Sequence, residues 1–394
     1  MKILVVLSRV PWPLEKGDKL RAYHLIREWS KDNEVTLFCL TDRGIDPQAE
    51  SKLNEICSQV FIYRFNKVEI AVRMFLSIFR KKPFQVNYFH SRKAQKAFDI
   101  FIDNNIPDHI FCQLVRTSEY VRKYNVIHKS IDYMDAFSTG MKRMAERSPW
   151  PLSFMMKIEY KRLKAYENGV QGMFQKRFII SDQDRKQMDF IEDLQIISNG
   201  IDPIFLEKIK SLETKKHDIL FTGNMSYRPN VESAKFLISE IMPIVWKKHP
   251  NATVCLAGAD PSAQVIGLKS ERVSITGWVD DISRIYRQSR VFVAPMLVNT
   301  GLQNKLLEAM ASEIPCITTS LANNALKAKP NNEVIIADDK EQFSDSISRI
   351  LEQDQALASI ATNGKNYVKA NFSWEKSSQE FIDAFNKINR ATSY

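Results

Sequence analysis

The sequence predicts an α/β protein of two domains, each a mostly parallel sheet covered by helices on both faces. Three observations carry this. Short apolar runs alternate with amphipathic stretches along the chain, as βα units require. The alternation restarts after the charged run LEKIKSLETKKH, Leu206–His217. With 394 residues, the chain is also too long for one ordinary core.

Ile3–Leu7 is continuously apolar, as a strand buried on both faces should be. A turn-rich loop and a helix over Lys19–Ser30 follow. Further strands are predicted at Val35–Leu40, Val60–Tyr63, His109–Leu114, Val126–Ile131, Arg177–Ser181 and Leu194–Ile197. The second series has strands at Ile219–Phe221, Val254–Ala257, Val273–Thr276, Val291–Ala294, Cys316–Thr319 and Val334–Ile336. Its helices are predicted at Val231–Lys248, Asp281–Gln288, Leu302–Ala311 and Gln342–Glu352, and a last helix at Trp374–Ile388. The expected division is a first domain over 1–202, a linker over 203–216, a second domain over 217–371 and a terminal helix over 372–394.

The net charge of +10 favours an anionic partner. No helix-turn-helix, zinc-finger or RNP-type motif is present, so no nucleic-acid partner is expected. The five cysteines have no paired spacing, and four sit in strand-like apolar runs. They read as reduced core residues of a cytoplasmic protein. MKILVVLSRV is too short an apolar run for a signal peptide, and no stretch approaches the roughly 20 apolar residues of a membrane span.

In open parallel sheets, ligands bind beyond the carboxyl ends of the strands. The segment VFVAPMLVNTGLQNKLLEAMASEIPCI, Val291–Ile317, therefore carries the most weight. Its strand ends at Pro295, and the polar loop Asn299–Thr300–Gly301 opens a helix. Free amides at that helix start suit a diphosphate. Lys305 and Glu308 lie three apart and share a face. The cation can neutralise a phosphate, and the carboxylate can accept from ribose hydroxyls. An ordinary surface ion pair has the same spacing.

GLQNKLLEAMA followed by IPCITTSLA resembles the most characteristic stretch of the retaining GT-B glycosyltransferases, of the glycosyltransferase family 4-like, exopolysaccharide type. SRVPWPLEKGDKLRAYHL, NGID at Asn199–Asp202, FTGNMSYRPN, AGADP and TGWVDD resemble other segments of that family in the same order. The resemblance implies two Rossmann-like domains facing each other across a cleft, with the C-terminal helix crossing back to the first. It implies transfer of a sugar from a nucleotide-diphosphate sugar, such as a UDP- or GDP-sugar, to a hydroxyl with retention. No metal or other cofactor is implied.

By the same resemblance, Glu308 binds the donor ribose, and Gly301 and Leu302 offer amides to the diphosphate. Trp278 and Val279 flank the base. Gly17 forms the first-domain wall of the donor site. Asn299, Thr300, Asn304, Gly223 and Asn224 complete the donor loops. Two positions depart from the pattern: Thr300 stands where many relatives have Glu, and Asn224 where a common relative has Arg. Lys305 and Arg228 are the cations left to stabilise the departing phosphate.

In the first domain, VIHKSIDYMDAFS places Asp132 and Asp135 just past a strand. One of them is expected to orient the acceptor hydroxyl; helix capping by Asp135 is the alternative. Arg21 reads either as a contact to an anionic acceptor or as a solvated helix charge. VRMFLSIFRKKPFQVNYF, Val72–Phe89, joins Arg80, Lys81 and Lys82 to several large apolar residues, and Trp150–Tyr166 is a weaker relative of it. That composition suits the anionic inner face of a cell membrane and hence a lipid-linked or glycan acceptor. A sugar-nucleotide epimerase or hydrolase, and a catalytically weak partner subunit, are the alternative functions.

Overall fold

The computed structural model describes residues 1–14, 16–207, 214–297, 302–353, 355 and 358–391. The chain divides into two compact units. The first comprises 1–200 and 374–394, the second 201–373.

The first unit holds a seven-stranded parallel sheet in the order β3-β2-β1-β4-β5-β6-β7. The strands are β1 Lys2–Leu7, β2 Glu34–Thr41, β3 Gln59–Arg64, β4 His109–Gln113, β5 His128–Asp132, β6 Lys176–Ile179 and β7 Leu194–Ile196. Side chains of a strand alternate between faces, and β1 shows the result. Leu4 and Val6 join the core on one face, Ile3, Val5 and Leu7 the core on the other. Helices cover both faces, so Ile3–Leu7 has no solvent side and needs no polar residue.

The last helix, Trp374–Ala391, belongs to this unit. Its Phe381 and Phe385 pack on Trp29 of the helix Gly17–Trp29, with ring centroids 5.6 and 5.8 Å away. Trp29 Nε1 donates to the carbonyl of Ser378 at 3.2 Å. Gly200 explains itself here. A Cβ on it would lie 2.4 Å from the Trp374 nitrogen, so only glycine lets the chain pass.

The second unit holds a six-stranded parallel sheet in the order β10-β9-β8-β11-β12-β13. These are β8 His217–Thr222, β9 Val254–Ala257, β10 Val273–Ile275, β11 Ser289–Ala294, β12 Cys316–Thr318 and β13 Ile335–Ile336. One helix departs from expectation. The predicted run Val231–Lys248 is a helix over Arg228–Phe236, a π-turn over Leu237–Ile241 and a second helix over Met242–Lys248. Pro243 lacks an N–H and crowds the preceding turn, and the widened π-turn absorbs the lost bond.

Strand order reverses direction between β1 and β4 in the first unit and between β8 and β11 in the second. The carboxyl ends at such switch points form the natural crevices of parallel sheets. All five cysteines are buried and free. No described helix is long and apolar enough to cross a membrane.

Candidate functional site

At the switch point of the second unit, β8 ends at Thr222 and the chain turns through Gly223 with φ +154°. A Cβ there would lie 2.6 Å from Asn230 Nδ2 and 3.3 Å from Lys305 Nζ. The missing side chain is what lets both groups approach the strand end. The helix Asn304–Ala311 enters from the other side, with Gln303 as its extended N-cap.

Lys305 donates from Nζ to Asn230 Oδ1 and lies 5.0 Å from the centroid of Phe221. The Asn230 amide is oriented by its partners, since its Nδ2 donates to the Asn224 carbonyl at 2.9 Å. Burial depresses the Lys305 ammonium to about 8, partly opposed by the charge of Glu308. Glu308 Oε2 accepts from Tyr286 Oη at 2.9 Å, and Tyr286 is bonded in turn to Thr222 Oγ1 at 2.6 Å. Burial raises the Glu308 carboxyl above its ordinary value; Tyr286 and Lys305 oppose the rise. The two charges are therefore held by neutral partners rather than by each other. Neither is exhausted: an ammonium has three donors, and Oε1 of Glu308 has no hydrogen bond among the described residues.

Other expected donor residues fall into three groups. Asn299, Thr300 and Gly301 lie outside the described residues. Leu302 is half-buried against the core, and Asn304 is exposed at the first helical position. Trp278 is exposed, with only its Nε1 tied to Asp280 at 3.2 Å, and Val279 is half-buried beside it. Asn224 spends its side chain on the turn, accepting from Ser226 N at 2.9 Å and donating to Asp260 at 3.2 Å. Arg228 is exposed at the start of its helix and takes no part in the Lys305 cluster. Gly17 begins the first helix of the other unit, with open space around it.

Two first-unit expectations need correction. Arg21 and Asp132 are fully buried and bonded to each other, Nε to Oδ2 at 2.6 Å. Arg21 also donates to Asn199 Oδ1 at 2.8 Å and to the Ile197 carbonyl at 2.9 Å, and lies 5.3 Å from the Phe381 ring. The remaining Asp132 oxygen accepts from Met134 N at 3.0 Å. Both charges are consumed inside the protein, so neither side chain can meet an acceptor. They tie β5 to the chain after β7 and to the last helix.

Asp135 is the one left at the surface. The helix Phe137–Arg147 begins from Ala136 without a side-chain cap, so Asp135 does not cap it. Its carboxyl is pushed up to about 7, by desolvation first and then by Asp184, with Arg116 opposing. Exposure to water tempers the first cause, and the upward direction stands on the acidic neighbours.

Sequence reasoning missed Asn230 and Tyr286. Nothing in RPNVES or RIYRQ distinguishes them from ordinary helix residues; only their distances from Lys305 and Glu308 do.

The comparisons with known proteins bear on this site directly. Residues 216–353 match the family model described as Glycosyl transferases group 1. The matched residues lie within the second unit. Over 95% of the chain and 97% of the relative, the protein is 21% identical to an uncharacterized 44.6 kDa protein in the cps region of Klebsiella pneumoniae. A second relative is the UDP-Gal:alpha-D-GlcNAc-diphosphoundecaprenol alpha-1,3-galactosyltransferase of Escherichia coli. It is 29% identical over 49% of this chain and 54% of its own. Among solved structures, Alr3699/HepE of Anabaena in complex with UDP superposes with a TM-score of 0.64. It is 13% identical over 98% of this chain and 100% of its own. Together they establish the fold, two Rossmann-like parallel-sheet domains of the GT-B type.

Proposed function

We propose that the protein transfers a glycosyl group from a nucleotide-diphosphate sugar to a hydroxyl acceptor, in the assembly of a surface or lipid-linked glycan. The observation that carries this is the Lys305–Glu308 pair at the second unit's switch point, each charge half-buried, held by a neutral partner and with valence to spare. Glu308 Oε1 accepts from the donor ribose. Trp278, exposed on the loop after β10, flanks the base. The UDP complex of the Anabaena protein supports a uridine donor.

In the transfer, the bond from the anomeric carbon to the diphosphate oxygen breaks and its electron pair stays on the diphosphate. Lys305, half-buried, stabilises that charge where water screens it less than at an open surface. The acceptor oxygen attacks from the same face, so configuration is retained. Its proton passes to the departing phosphate. No protein nucleophile and no metal enters this scheme. Asp135, exposed on the first unit, orients the acceptor hydroxyl.

The first unit also offers a membrane-facing surface. On the helix Lys67–Ser77 and just after it, Val72, Phe75, Leu76, Ile78 and Phe79 are exposed, with Phe79 78% exposed. Trp150, Leu152, Phe154 and Met155 form a second exposed apolar group. Arg80 and Lys81 are exposed beside the first. Lys82 is spent internally, at 2.8 Å from Glu119. The galactosyltransferase relative acts on a diphosphoundecaprenol-linked sugar by its name, which agrees with a lipid-borne acceptor.

Incubation with a panel of UDP-sugars, with and without membrane extract, tests the reaction. Glycosyl transfer that needs an acceptor is the expected result. Isomerised donor in its absence would mean an epimerase, and free sugar alone a hydrolase.

A further inference from the structure

Lys305 is surrounded by groups of unequal strength. An ammonium has three N–H donors, and one of them goes to Asn230 Oδ1. The other neighbours are soft. Met296 Sδ lies 4.0 Å from Nζ, and the centroid of the Phe221 ring 5.0 Å away. A thioether is a weak acceptor, and a ring face attracts a cation without cancelling its charge. Among the described residues, Asn230 is thus the one strong acceptor that the ammonium has.

Asn230 is itself fixed. It is 5% exposed, and its backbone N–H donates to the Tyr227 carbonyl at 2.9 Å. Its Nδ2 donates to the Asn224 carbonyl at 2.9 Å, so its Oδ1 has to face Lys305. A flipped amide would set donor against donor at Nζ. Gly223 leaves the space, since a Cβ there would lie 3.0 Å from Asn230 Cγ. The contacts run from a backbone carbonyl through one oriented amide to the ammonium.

The neutrality of these partners is the informative property. The elements packed against Lys305 present Phe221, Asn230, Met296 and Tyr286, whose Oη lies 3.3 Å from the Lys305 carbonyl. Burial raises the Tyr286 phenol well above its ordinary value, so it too is uncharged. The charge that acts on the ammonium is Glu308, on its own helix, and Glu308 in turn feels Asp202. An aspartate in place of Asn230 would have the same shape and would hold the ammonium more strongly, as an ion pair. It would also cancel the charge before a diphosphate arrived. Asparagine holds without cancelling.

We propose that Asn230 is a positioning residue of the transfer reaction: its amide oxygen fixes the Lys305 ammonium beside the end of β8 and, being neutral, leaves that positive charge to the donor diphosphate. The proposal rests on the transfer reading above. It adds what selects this side chain, since shape alone would admit aspartate and charge does not.

Calorimetric titration of the full chain with UDP, from about pH 7 to about pH 10, tests this in wild type, Asn230→Asp and Asn230→Leu. UDP's own ionisation is common to all three and cancels in the comparison. Wild-type affinity should fall as Lys305 loses its proton. In Asn230→Asp a carboxylate favours the charged amine, so the fall should move up by about one pH unit or more. The added negative charge should also weaken UDP about tenfold or more at neutral pH. Leucine fills the same space and offers no acceptor, so in Asn230→Leu the fall should move to lower pH. The Asn224 carbonyl also accepts from the Tyr227 amide at 3.2 Å, which holds the turn in both variants. An asparagine of merely structural value predicts no movement, or movement in the same direction in both. Either result overturns the proposal, as does UDP bound by Asn230→Asp as tightly as by wild type. If one variant unfolds, the direction in the other decides. Wild type that binds no UDP would remove the donor reading itself, and this proposal with it.

Discussion

The two units each place a cation and a carboxylate beyond the ends of a parallel sheet, and use them in opposite ways. Arg21 and Asp132 meet directly with no exposed surface; Arg21 also donates to Asn199 and the Ile197 carbonyl, and Asp132 accepts from Met134 N, so the pair is closed to a ligand. Lys305 and Glu308, only three residues apart, are kept from each other by Asn230 and Tyr286. A buried pair that is closed on itself is architecture. A half-buried pair held open by neutral partners is a site waiting for charge. Residue type and strand-end position do not separate the two cases; exposure and partners do.

This contrast predicts which changes break the fold and which break function. The largest effect should come from Arg21→Ala, which leaves Asp132 buried and unpaired. Breaking such a pair costs about 3–5 kcal/mol, read as a large fall in the urea midpoint. An Arg21→Ala protein of unchanged midpoint would return Arg21 to the acceptor site.

Lys305→Ala should leave the midpoint nearly intact and lower kcat by about 10²–10³, the usual loss for a donor that stabilises departing charge. The wild-type enzyme should also show the lysine in its pH profile. With the Lys305 pKa depressed to about 8, the empty enzyme carries the cation below that pH and loses it above. Donor binding favours the cation. UDP affinity should therefore be flat below pH 8 and fall up to about tenfold per unit above it. The fall should vanish in Lys305→Ala, and its persistence there would assign the titration elsewhere.

Glu308→Ala removes a charged hydrogen bond to the ribose, worth about 1.5–3 kcal/mol of UDP affinity. Equal affinity for UDP in mutant and wild type would take Glu308 out of the site.

The smallest effect concerns the surface. Changing Arg80 and Lys81 together to Ala should reduce flotation with anionic vesicles by about 1 kcal/mol per cation. High salt should reduce it likewise. Wild-type protein that does not float at low salt would disconnect the apolar patch from membranes.

Much of the fold could be read in the sequence, because a strand buried on both faces must be apolar throughout. Ile3–Leu7 and Val291–Ala294 could hardly be anything else. Where reading failed, the cause was an interaction across long sequence distance or a backbone adjustment. Arg21 and Asp132 are 111 residues apart, and no local pattern announces that they pair. The π-turn before Pro243 is a local compromise that helical periodicity smooths over. Lys305 and Glu308 could be found because one helix face carries both. Tyr286 and Asn230 could not, since each gains its meaning from a partner on another element.

The helix Trp374–Ala391 has a consequence for how the protein is made. It supplies Phe381 and Phe385 to the core built around Trp29, yet it follows the entire second unit in the chain. During synthesis the first two hundred residues must wait, with that side of their sheet only partly covered, while the ribosome produces the whole of residues 201–373. The second unit has all its strands and can fold in the meantime. The domain translated second is thus the one finished first. A stop before Phe381 would release a chain with a finished second unit and a first unit lacking both of those rings.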